Sequence, residues 1–168
     1  MAQRFNEVFL DDVWAPDSDR LGEVGEGCRV MLTTLGHERR SIGGQGYGGV
    51  GLLSPQRYID LAEAYGRSGD PVVRQHLAQM VTHLRLSKWN SQRGLGFGKL
   101  ELSRNYEHIS RFVSELLGPS LVADSGSAGA YSWAPFVLGV PGMRIGGGTD
   151  EILLNTIADR RLGLPKGS

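Results

Sequence analysis

"DPVVRQHLAQMVTHLRLSKWNSQRG", residues 70–94, is the stretch on which the fold turns. Asp70 can accept from the free amides of a first helical turn, and Pro71 suits the first helical position, where no N–H is required. Val73, Leu77, Met80, Val81, Leu84 and Lys88 recur at spacings of three and four, so they share one helical face. Gly94 ends the run. The next stretch, "KLELSRNYEHISRFVSELLGP" (99–119), repeats the pattern, with Leu102, Tyr106, Ile109, Phe112, Val113 and Leu116 inward and Gly118-Pro119 as the stop. Long amphipathic helices with short connections pack as an antiparallel bundle.

Outward from this pair the pattern continues. "SPQRYIDLAEAYGR" (54–67) reads as a helix capped by Ser54 and opened by Pro55. Val30, Met31, Thr34, Leu35 and Ile42 give another helical stripe from about residue 26. A last helix runs from Thr149 to about Leu162. Thr149 caps it, Asp150 and Glu151 sit at the positive end of its dipole, Arg160 and Arg161 sit in its last turn, and Gly163 and Pro165 end it. Residues 120–143 read as loop, rich in Ser, Gly, Ala and Pro, with Tyr131, Trp133 and Phe136 as packing residues. "RFNEVFLDDVWAP" (4–16) alternates in polarity and predicts one strand followed by a turn. A lone strand cannot stand by itself, so this one needs something to pair with. The expected fold is all-α, an antiparallel helical bundle with one amino-terminal strand.

The bulk numbers narrow the function. Lys plus Arg and Asp plus Glu are 18 each, so the formal charge is zero and there is no basic field for nucleic acid or an anionic membrane. No apolar run reaches the length of a membrane span, and the first ten residues have no signal-peptide core, so a cytoplasmic protein is expected. A single cysteine, Cys28, excludes an internal disulfide and a cysteine-based zinc cluster, and it reads as a small buried residue. The histidines His37, His76, His83 and His108 form no i, i+4 pair, so no metal site is expected. Trp14, Trp89 and Trp133 read as packing residues.

Two glycine clusters raise questions of chemistry. Gly44-x-Gly46-x-x-Gly49 matches a dinucleotide fingerprint in form, but a helical stripe precedes it where the fingerprint needs a strand. Close packing of two helix backbones is the better reading. The triplet Gly146-Gly147-Gly148 is not explained by the cap at Thr149. A backbone bare of side chains before a helix start suits the close approach of an anion or carbonyl oxygen. "LGHERRS" (35–41) places Glu38 mid-helix, either on a solvated ion-paired face or facing a cavity as a proton acceptor.

Three stretches together carry a family resemblance that covers essentially the whole chain. "FNEVFLDDVWAPDSDRLGEVGEGCRVMLTTLGHER" (5–39) resembles the start of the carboxy-terminal half of acyl-CoA dehydrogenases, where a last strand of the middle β-domain runs into the first bundle helix. "LGP" (117–119) fits the end of a later bundle helix, and "GGGTDEILLNTIADRRLGLPKG" (146–167) resembles the family's closing loop and helix. The resemblance implies that residues 1–24 end a middle β-domain and its linker, and that 25–168 form the C-terminal helical bundle domain.

It also implies a site. Many members carry the catalytic glutamate directly before the Gly-Thr of the closing loop, a position held here by Gly147. A minority place it on the first bundle helix before an arginine, and Glu38-Arg39 matches that arrangement. Glu38 is then the expected base, taking the α-proton while the β-hydride passes to flavin. Gly36, His37 and Arg39 would line the thioester and CoA side, Gly148 would approach the thioester, and Thr149, Asp150 and Glu151 would sit against FAD. The cofactor is expected for the complete enzyme rather than for this chain alone.

The chain also departs from the family pattern. "GRSGDPVVRQHLAQM" stands where most members carry an Arg-x-Phe-Gly stretch for a neighbouring subunit's flavin, and "SAGAYSWAPFVLGVPGM" (127–143) replaces a glycine-rich flavin-adenine segment. With the GGGT loop, these departures resemble a branch acting on bulky thioesters, some of whose members pair two unlike chains. The expected partners are an acyl-CoA substrate and further acyl-CoA dehydrogenase chains, in a homo-oligomer or hetero-oligomer. The rival expectation is a flavin-free assembly domain or partner subunit.

Overall fold

A computed structural model describes residues 7–43, 51–93, 98–126 and 131–165, with residues 39–43 described by their backbone alone. Six α-helices follow in order: α1 (Gly27–Gly43), α2 (Pro55–Ala64), α3 (Pro71–Gln92), α4 (Gly98–Leu117), α5 (Ala134–Ile145) and α6 (Asp150–Arg160). Short 3₁₀ turns cover Asp17–Asp19 and Gly118–Leu121. The fold is all-α, as the spacing predicts. Gly44, Gly46 and Gly49 of the dinucleotide-like pattern lie outside the described residues.

Helix α4 is the axis of the bundle. It packs against α1, α3, α5 and α6, while α2 packs on α3. Its apolar positions Leu102, Tyr106, Ile109, Phe112, Val113, Leu116 and Leu117 are all buried and meet Tyr58 and Ala62 of α2, Val73, Met80 and Leu84 of α3, and Val140 of α5. Rings join in edge-to-face contacts, with centroids 6.2 Å apart for Tyr58 and Phe112 and 5.6 Å for Tyr106 and Phe136. Such pairs add to the transfer energy of burying the rings.

A polar seam sets the direction of α3 against α4. Asn90 donates to Glu101 at 2.5 Å, the rings of His83 and His108 stack with centroids 4.3 Å apart, and His76 meets Glu115 at 2.6 Å. The partners descend along α3 as they climb along α4, so the two helices are antiparallel. The seven-residue step between successive partners is the heptad repeat of coiled-coil-like packing. Asp70 caps α3 as expected, accepting from the amides of Val72 at 2.9 Å and Val73 at 3.3 Å. Ser54 stands at the α2 cap position but makes no side-chain capping bond there.

Four sequence expectations need correction. No strand forms among the described residues. Val8, Phe9 and Leu10 are about four-fifths exposed and pair with no other strand, because a β ladder needs a neighbour that a helical bundle does not offer. The 120–143 stretch is not all loop, since α5 occupies Ala134–Ile145 with Pro141 inside it. Pro and Gly argue against a helix locally. Burial of Val140, with Trp133, Phe136, Val137 and Met143 packed against the core, overrides that local preference. Cys28 is exposed rather than buried. Of the three tryptophans Trp133 packs, while Trp14 and Trp89 are exposed.

Candidate functional site

The turn from α5 into α6 is shaped by its glycines. Gly147 and Gly148 take φ values of 67° and 100°, a left-handed region that side chains disfavour. Thr149 then returns to extended backbone and caps α6, its hydroxyl oxygen accepting from the Ile152 amide at 3.3 Å. The triplet therefore lets the chain reverse sharply and leaves its backbone uncovered by side chains.

Beneath this loop lies a buried polar cluster. Asp150, 5% exposed, accepts from the Ser103 hydroxyl at 2.6 Å through Oδ1 and from Arg144 Nε at 3.1 Å through Oδ2. Lys99, also 5% exposed, donates from Nζ to the carbonyls of Arg144 and Gly148, both at 2.7 Å, and lies 3.6 Å from Asp150 Oδ1. Arg144 reaches Glu107 as well, at 3.4 Å. Two cations thus face two carboxylates. No buried side-chain polar atom among the described residues lacks a hydrogen-bond partner.

Placement of the charges follows the helix dipoles. Lys99 sits at the negative end of α5, where carbonyls lack helical donors, and Asp150 sits in the first turn of α6, at the positive end. Burial pushes the Asp150 carboxyl up, but Ser103, Arg144 and Lys99 together hold it below its ordinary value. Burial pulls the Lys99 ammonium down, against the pull of Asp150. Glu151 is exposed, its carboxyl held low by its own backbone N–H and the Thr149 hydroxyl.

The expected site residues fall into two groups. Gly148, Thr149, Asp150 and Glu151 lie together at the start of α6, but Thr149 and Asp150 are engaged within the chain. Gly36, His37, Glu38 and Arg39 lie on α1. His37 and Glu38 are exposed and Gly36 is half-buried. A Cβ added at Gly36 would meet no described atom within 4 Å, so no packing within the described residues demands glycine there. Helices α1 and α6 both pack on α4, which carries both groups.

Sequence reasoning missed Lys99, Ser103 and Arg144. A signal was present: Lys99, Ser103 and Glu107 recur every four residues, a polar stripe along a helix whose inner side is otherwise mostly apolar, Asn105 excepted. Among the described residues no group of three or more His, Cys, Asp or Glu could hold a metal ion, and no helix is long and apolar enough to cross a membrane.

A family model, the C-terminal domain of acyl-CoA dehydrogenases, matches residues 25–162. Acyl-CoA dehydrogenase IpdE1 of Mycolicibacterium smegmatis is 30% identical over 96% of this chain and 43% of its own length. The protein of the same name from Mycobacterium tuberculosis is 27% identical over 96% of this chain and 44% of its own length. Glutaryl-CoA dehydrogenase of Desulfococcus multivorans is 41% identical over 35% of this chain and 14% of its own length. The chain therefore spans less than half the length of these curated relatives. No solved structure matches it. The match across the helical bundle is decisive: this chain belongs to the acyl-CoA dehydrogenase family and carries that family's C-terminal domain.

Proposed function

We propose that residues 25–168 serve as the helical domain of a flavin-dependent acyl-CoA dehydrogenase, with residues 1–24 as the end of a middle β-domain, and that Glu38 is the base. The observation that supports this most is the division of labour between the glycine loop and α1. The loop offers a bare, fixed backbone at Gly147-Gly148, and α1 offers an exposed carboxylate at Glu38 beside an unobstructed Gly36. In α,β-dehydrogenation the Glu38 carboxylate takes the proton from the α-carbon of the thioester. The C–H bond breaks, an O–H bond forms on the carboxyl, and the electron pair becomes part of the new double bond. Loop amides near Gly148 would polarise the thioester carbonyl, which makes that carbon acid enough for a carboxylate. His37 and Arg39 would line the CoA side.

FAD, when bound, supplies the acceptor for the β-hydride. Of Thr149, Asp150 and Glu151, the residues proposed to sit against it, the exposed Glu151 would be the one free to face the flavin, while the Thr149 hydroxyl and Asp150 are engaged inside the chain. That engagement favours a second reading, a flavin-free assembly domain or partner subunit joined to another acyl-CoA dehydrogenase chain. Glu38→Gln, assayed in the enzyme assembled with its remaining portion, separates the two. The first reading expects turnover to fall by about 10²- to 10⁴-fold, the usual worth of a general base, with the flavin absorption band retained. Unchanged turnover sinks it and leaves the assembly reading.

A further inference from the structure

We infer that Lys99 is a positioning residue: its buried ammonium sets the backbone of the glycine loop, and so fixes the peptide that a ligand meets in front of α6. The ligand's identity as an acyl thioester rests on the function proposed above; the positioning itself does not.

The argument begins with the loop. Gly147 and Gly148 have the widest conformational freedom of any residue, so the chain alone gives little reason for one geometry there. Something must hold the Gly148 peptide. Lys99 Nζ lies 2.7 Å from the Gly148 carbonyl oxygen and 2.7 Å from that of Arg144. One donor group thereby ties the last turn of α5 to the residue just before the α6 cap. The third side of the ammonium faces Asp150 at 3.6 Å, and Asp150 is the first residue of α6. Together with the Arg144–Asp150 pair, at 3.1 Å, this ammonium ties the end of one helix to the start of the next, and it bonds the Gly148 carbonyl directly.

Neither purely local contact does this. The Thr149 cap orients α6 but reaches forward to Ile152, and the Gly146 amide reaches backward to Gly142 at 3.2 Å. Between these two bonds, Lys99 holds the loop through Gly148. Its ammonium is also replaceable with little change of shape, because the Lys side chain is unbranched and Met is close to its isostere without the charge. A buried ammonium–carboxylate pair is often no more stable than well-packed apolar side chains of similar volume in both places, so stability alone is a weak reason for Lys99 and Asp150 to be there together. The ammonium's presence under a backbone that carries no side chains points to geometry as its role.

The test is amide hydrogen exchange on the 168-residue chain, comparing wild type, Lys99→Met and Lys99→Arg. The reporters are Gly146 and Ile152, whose amides bond on either side of the loop, and Ile109 and Val113 in the α4 core. In Lys99→Met the loop reporters should lose protection by a factor at least about tenfold larger than any loss at the core reporters, which register the change in global stability. Lys99→Arg, which keeps a charge and donors, should recover part of the loop protection. Unchanged exchange at Gly146 and Ile152 overturns the inference. A parallel loss of protection at all four reporters also overturns it, since Lys99 would then be a fold residue only. These readouts need neither flavin nor turnover, so a silent Glu38→Gln result would remove the dehydrogenase reading and leave the Lys99 result standing.

Discussion

The glycine loop and the α1 segment around Glu38, proposed above as parts of one site, are built in opposite ways. Under the loop, a carboxylate and an ammonium are packed out of water beside a half-buried guanidinium, with hydrogen bonds made inside the chain. On α1, His37 and Glu38 stand in solvent, and Met31 and Leu32 are about half exposed. A general base for a carbon acid needs desolvation to raise its basicity. The chain thus sets the geometry of the loop by itself, whereas the proposed role of Glu38 requires a cover over α1 that the described residues do not provide.

Four experiments bear on this contrast. The largest effect is expected from Asp150→Ala, which takes the carboxylate from buried Lys99 and leaves Arg144 with Glu107 alone. Removing one member of a buried ion pair costs about 3–5 kcal/mol, so urea unfolding should show that loss, and a change under about 1 kcal/mol would mean the cluster is wetter than its burial indicates. Ser103→Ala removes a charge-assisted bond to the same carboxylate and should cost roughly 1–3 kcal/mol by the same measurement.

The pH dependence of Asp150 has a definite sign. Its folded carboxyl lies below the ordinary 3.8, so its stabilisation is present above that value and is lost as pH falls through the folded value. The gap in unfolding midpoint between wild type and Asp150→Asn should thus be full near neutrality and narrow in acid below the ordinary carboxylate range. A gap that widens in acid would reverse the assignment. The smallest effect is expected on α1. Gly36→Ala should stabilise the chain by roughly 0.5–1 kcal/mol, the usual difference between the two residues inside a helix. In the assembled enzyme the added methyl should raise KM for the acyl-CoA. Stabilisation with KM unchanged would remove Gly36 from the substrate side.

What the sequence revealed follows from how far each signal reaches along the chain. The α3 and α4 stripes and the caps at Asp70 and Thr149 are local, each set within a turn or two, and the structure has them where the pattern places them. Helix α5 was hidden because Gly139, Pro141 and Gly142 argue against it locally, and its formation depends on packing against α4. The Lys99 cluster was hidden because it joins residues remote in sequence, and periodicity alone reads Lys99 as one more polar position. The expected strand is a different failure, since its alternation is local but its ladder is not. Glu38 was singled out by resemblance, because an exposed glutamate on a helix looks the same whether it is a solvated charge or a base awaiting its cover.

The span between Lys99 and its two acceptors, 45 and 49 residues, also orders events during synthesis. A chain emerging from its amino end presents α3 and α4 before α5 and α6, and their hairpin-like seam can close from near neighbours alone. The ammonium of Lys99 stays hydrated until residues 144–150 leave the ribosome, and it sheds its water only when the last helix docks. The inner side of the glycine loop is thus dried late, by contacts that need both α4 and α6 in place.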